Sequence, residues 1–89
     1  MEEKSYTIDE AIELYDAERF DESLEAFRQH RKDPVAQYYL GLHYYEGYGV
    51  EKDMEQAVYW FKKSSRRGNL DAKYMLLCCE GNTTDCCKG

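Results

Sequence analysis

Residues 36–72 read AQYYLGLHYYEGYGVEKDMEQAVYWFKKSSRRGNLDA, two helical patterns joined by a turn that glycines bracket. Just ahead, Asp33-Pro34 is a helix start signal. Aspartate caps the free N–H groups, and proline at the first helical position gives up a donor that has no partner there. A helix is predicted over 34–46. Its residues are apolar or aromatic nearly all round, as in a helix packed on more than one side, so it should be central. Gly47-Tyr48-Gly49 ends it, because glycine enters the left-handed backbone region cheaply. Asp53 with Gln56 gives a box-like cap, and Met54, Ala57, Val58 and Phe61 set an i, i+3, i+4, i+7 stripe over a helix at 53–67. Gly68-Asn69 stops that helix and caps a shorter one at 70–80.

Working back toward the N-terminus, Thr7 and Glu10 form a capping box. Ile8, Ala11, Ile12 and Tyr15 then recur at helical spacing over 8–18. Asp21 can cap a further helix at 21–31, with the stripe Phe20, Leu24 and Phe27. Five helices with short turns make either a closed bundle or a solenoid, and periodicity decides between them. Ala36, Tyr38 and Leu40 recur as Ala72, Tyr74 and Leu76 at a displacement of 36 residues. Ser23 and Phe27 match Ala57 and Phe61 at 34, and Ala11 and Leu14 match Gly41 and Tyr44 at 30. The step from 30 to 34 places a four-residue insertion at the Gly47 to Lys52 turn.

These residues resemble a Sel-like repeat of the tetratricopeptide repeat superfamily. They supply Ala36, Leu40-Gly41, Tyr44, Gly47-x-Gly49-Val50, Asp53, Ala57, Trp60, Lys63, Gly68 and Ala72 in the family's order. Lys63-Ser64-Ser65 stands where the family has Lys-Ala-Ala. Ala11, Leu14, Phe20, Ser23 and Phe27 resemble an ordinary tetratricopeptide unit more loosely. The resemblance implies an all-α, short right-handed α-α superhelix of about two and a half helix-turn-helix repeats. The units would be 7–33, 34–69 and a capping half repeat at 70–80, all in one domain at 1–81. Residues 82–89 would be a flexible cysteine-containing tail. Gly41 and Ala57 are small where two helices must approach within roughly 8–10 Å, and Trp60, Phe61 and Tyr44 fill the space around them.

Composition excludes several function classes. Formal charge is −6, but residues 1–27 carry ten acids against Lys4 and Arg19, while the remainder is near +2. A pI near 4.8 lacks the basic stripe that nucleic-acid binding requires. Arg28, Arg31, Lys32, Lys62, Lys63, Arg66 and Arg67 fall near predicted helix C-termini, where cations suit the macrodipole. No apolar run approaches the ~20 residues of a membrane span. The acidic N-terminus, MEEKSYTIDE, does not read as a signal peptide, so the cytoplasm is expected, or the periplasm if a leader was removed.

No Ser or Cys has an orienting histidine at a known motif spacing, and no glycine loop suits a phosphate, so an enzyme is not expected. Neither is a cofactor or metal. Cys78-Cys79 and Cys86-Cys87 are adjacent pairs, poorly spaced for one tetrahedral ion. They read as reduced thiols, with a disulfide between Cys78 and Cys86 or Cys79 and Cys87 as the oxidised alternative and metal binding as a remote one.

The expected function is protein–protein interaction, as an adaptor or inhibitor. Family geometry puts the first helix of each unit on the concave side, which selects Ile12, Tyr15, Asp16, Tyr38, Leu42, Tyr45, Glu46, Tyr74 and Cys78. Nine of the thirteen aromatics are tyrosines, which combine apolar area with a hydroxyl. Asp16 and Glu46 would favour a peptide or helix with basic residues. The competing expectation is that these tyrosines pack between units instead. The alternative function is an assembly subunit that forms a homodimer through the last helix.

Overall fold

The computed structural model describes residues 5–80, with side chains through Cys79. The predicted tail at 82–89, Cys86, Cys87 and both disulfide pairings to them lie outside the described residues. Among the described residues there are five helices and no strand: α1 (Ile8–Asp16), α2 (Phe20–Gln29), α3 (Pro34–Glu46), α4 (Met54–Arg66) and α5 (Leu70–Glu80). Each packs against its neighbours in sequence, which makes a small helical solenoid. The array measures 47 × 24 × 19 Å. No helix in it is long and apolar enough to cross a membrane.

Local chemistry sets most helix ends. Thr7 Oγ1 accepts from the Glu10 N–H at 3.1 Å while Glu10 Oε1 accepts from the Thr7 N–H at 2.9 Å, a reciprocal capping box. Asp33 accepts from the Val35 N–H, and Asp53 from those of Glu55 and Gln56. The start of α2 differs from expectation. The helix begins at Phe20 with Arg19 as N-cap and no side-chain cap, and Asp21 stands in the first turn. Phe20 stacks on Tyr48 with centroids 4.1 Å apart, so tertiary packing pulls the helix start forward of Asp21. There the aspartate still faces the positive end of the helix dipole.

The C-termini of α1 and α4 share one device. Glu18 N–H donates to Tyr15 C=O and Arg19 N–H to Leu14 C=O, while Gly68 N–H donates to Ser65 C=O and Asn69 N–H to Ser64 C=O. Both are Schellman closures, which need a left-handed residue after the cap. Gly68 takes φ 97° at no steric cost, whereas Glu18 takes φ 63° with a side chain attached. That closure ends α1 at Asp16, two residues before the sequence-based end.

The core divides around α3. Ala36 and Leu40 join Ala11, Leu24, Ala26 and Phe27 in one buried cluster, while Ala57, Phe61 and Ala72 form a second with Tyr38, Leu42, Tyr44 and Tyr45 against it. Use of opposite sides explains why α3 is apolar nearly all round. Residues related by the repeat share burial: Ser23 with Ala57, Phe27 with Phe61, and Ala36 with Ala72 are all fully buried. The Gly47–Tyr48–Gly49 turn docks on the preceding unit. Gly49 has φ 70°, and a Cβ there would lie 2.9 Å from the Phe20 carbonyl oxygen.

Candidate functional site

Aromatic side chains from α1 and the glycine turn gather on α3. Tyr15 on α1 reaches Tyr39 on α3 with ring centroids 4.9 Å apart. Tyr39 in turn stacks on Phe27 at 4.7 Å and meets Tyr38 edge-on at 5.4 Å. Electrostatics locates the carboxylates around these rings. Burial raises the Tyr39 pKa, and Asp16 from α1 and Asp71 from α5 raise it further. Tyr38 is raised by burial and then by Asp71 and Tyr39. Tyr15 is pushed up to about 12 by burial, Tyr48, Glu46, Tyr38 and Tyr39, in that order. Carboxylates from three helices thus bear on one group of half-buried phenols. The hydroxyls stay protonated at neutral pH and remain hydrogen-bond donors.

The sequence-selected residues divide into three groups. Tyr15, Asp16, Tyr38 and Glu46 belong to the cluster just described. Ile12 packs against the first core, and Leu42 and Tyr45 pack against the second, with the Tyr45 ring 6.4 Å from Phe61. Tyr74 is exposed on α5, and Cys78 is buried. Tyr15, Tyr38 and Tyr45 are all partly buried against the two cores, so the expected packing between units is present.

Three participants escape the sequence reading. Tyr39 sits beside Tyr38 in a helix where nearly every position is apolar, so helical spacing could not single it out. Asp71 reads as an ordinary first-turn acid, and only its electrostatic effect on Tyr38 and Tyr39, from a helix more than 30 positions away, brings it in. Tyr48, the middle residue of the glycine turn, packs against Tyr15 at 6.0 Å as well as against Phe20.

A Ser–His pair also forms across 20 positions. Ser23 Oγ lies 3.0 Å from His43 Nε2, and His43 Nδ1 lies 2.8 Å from the Tyr48 carbonyl oxygen. A carbonyl only accepts, so Nδ1 carries the proton, and in the neutral ring Nε2 shares the single Ser23 hydroxyl hydrogen with the Phe20 carbonyl oxygen, 3.2 Å from Oγ. Burial lowers the His43 pKa, and Arg28 lowers it further against the opposing Tyr48 hydrogen bond. A buried base with an oriented ring next to a hydroxyl is the geometry of nucleophile activation. Both residues are 0% exposed, so no substrate reaches the oxygen. The pair instead ties α2, α3 and the glycine turn together, with the ring edge-on to Tyr15 and Phe20. Among the described residues no three His, Cys, Asp or Glu side chains are grouped to hold a metal ion.

Comparison with known proteins gives one family. The model of the family described as Sel1 repeat matches residues 34–69, the segment that runs from the Asp33 cap to the α4 closure. No curated protein and no solved structure matches the chain.

Proposed function

We propose that this chain, which carries a Sel1 repeat at residues 34–69, is a non-enzymatic adaptor or inhibitor that takes a basic peptide or helix on its tyrosine and carboxylate face. Sel1 repeats mediate protein–protein interaction, which supports the class. The observation that supports the choice of ligand is the effect of both Asp16 on α1 and Asp71 on α5 on the half-buried Tyr39 of α3. A lysine or arginine there can pair with a carboxylate and lie against a phenol ring, and each contact reinforces the other. Titration with a short peptide alternating lysine and serine tests this. Saturable binding that falls at least about tenfold in Asp16→Asn/Asp71→Asn supports it, and equal binding by parent and variant overturns it.

A second reading rests on α5. Leu70 and Leu77 are 76% and 46% exposed, and the helix has no second helix of its unit among the described residues. Exposed apolar area of this kind marks contact sites, and a second copy of the chain would cover it. A sedimentation coefficient independent of concentration would remove this alternative.

A further inference from the structure

The ends of α2 and α4 carry the opposite charge to the tyrosine face. Two adjoining clefts there, of about 730 and 250 Å³, share Arg31, Lys32 and Arg67 as walls. Lys63 borders the smaller cleft, its Nζ 5.3 Å from the Tyr59 ring centroid. None of these four cations is ion-paired with a described residue; Arg19 with Glu22 is the pair that forms. Asp33 also borders the larger cleft, where it caps α3.

Cations at helix C-termini complement the helix dipole, and that accounts for each charge singly. It does not account for two buried polar atoms in the wall of the smaller cleft. Gln37 is 3% exposed and donates through Nε2 to the Arg31 carbonyl at 2.8 Å. Because a carbonyl cannot donate, that bond fixes the amide orientation and leaves Oε1 as the atom without a partner. Trp60 Nε1 is buried without a partner as well. The pair is one acceptor and one donor, both desolvated, and a group that bridged them would recover what burial has cost.

The geometry points to this cleft as a docking site for an acidic peptide segment of a partner protein. Its carboxylates pair with Arg31, Lys32, Lys63 and Arg67, and one of its residues, extended so that its own C=O and N–H point the same way, gives the C=O to the Trp60 indole and the N–H to Gln37. The flexible Lys63 and Arg67 side chains at the rim move aside to admit it. The same atoms select against phosphate. An unprotonated phosphate oxygen suits the indole N–H but repels the Gln37 carbonyl oxygen.

Trp60 is the single tryptophan, so its emission reports on the cleft directly. The whole chain is titrated with a short peptide alternating glutamate and glycine, which carries no chromophore. A saturable emission change is expected, weakened by added salt and reduced about tenfold in Arg31→Glu/Arg67→Glu. Asp16→Asn/Asp71→Asn should leave it unchanged, which separates this site from the tyrosine face. Lys32→Glu/Lys63→Glu serves as the second variant if the first melts early. The inference is overturned by no saturable change in the parent, by equal affinity in a folded charge-reversed variant, or by saturation with inorganic phosphate or a single-stranded oligonucleotide.

Discussion

Gly41 on α3 and Phe61 on α4 meet where a side chain cannot fit: a Cβ on Gly41 would lie 2.5 Å from Phe61 Cε1 and 2.6 Å from Cδ1. Phe61 is fully buried, with Ala57 and Ala72 in its cluster, so the ring has no free direction in which to retreat. Gly41→Ala is therefore expected to destabilise the fold by ~1–3 kcal/mol in denaturant unfolding, as overpacking does. Gly41→Ala/Phe61→Leu should cost less than the two single changes added together, because the smaller side chain makes room for the methyl group. Strict additivity would mean that the two residues do not press on each other.

The left-handed backbone at Glu18 gives the opposite expectation. Gly68, its counterpart after α4, holds the same closure without strain. Glu18→Gly should stabilise by about 0.5–1 kcal/mol, the relief of the strain less the added entropy of the unfolded chain. A lower melting temperature in the variant would show that the Glu18 side chain contributes something the backbone geometry does not reveal.

Ser64 stands where the resembled family has alanine, and its Oγ donates to the Pro34 carbonyl at 2.6 Å, which joins the end of α4 to the start of α3. Ser64→Ala removes that donor without changing shape much, and a loss of roughly 0.5–1.5 kcal/mol is expected. Ser65 lies next to it but bonds only to the Lys62 carbonyl of its own helix, so Ser65→Ala should be near neutral. Equal effects at the two positions would contradict the assigned role of Ser64.

His43 makes stability depend on pH. Its folded pKa lies below the ordinary value of 6.5, so the unfolded chain takes up a proton that the folded chain refuses. The stabilisation is complete above about 6.5 and is lost as pH falls from there toward the folded pKa. His43→Asn, whose amide nitrogen can replace Nδ1 as donor to Tyr48, should flatten the slope in urea unfolding across that window. An unchanged slope would assign the proton uptake elsewhere.

What could be read from the sequence follows the distance over which each feature is determined. The caps at Thr7, Asp33 and Asp53 are set within three residues, and the structure keeps all three. The repeat pairs Ser23 with Ala57 and Phe27 with Phe61 were visible because identical packing demands recur at a fixed interval. The Gly47 and Gly49 turn was also visible, but its landing place on Phe20 was not. That contact forms between units, and it moved the start of α2 to Phe20 ahead of Asp21. The Ser23–His43 pair spans 20 positions and belongs to no short motif. Asp71 enters the site only because α5 packs where it does. Single-residue periodicity marks which residues face inward, and it cannot say which inward residues from different helices touch.

Binding of a basic peptide on the tyrosine face is checked by backbone amide NMR, with the labelled chain titrated by the peptide alternating lysine and serine. The largest shifts are expected on Tyr15, Asp16, Tyr38, Tyr39 and Asp71, on three helices at once, while the amides of Arg31 and Trp60 stay fixed. Shifts confined to α2 and α4, or none at saturating peptide, would contradict it.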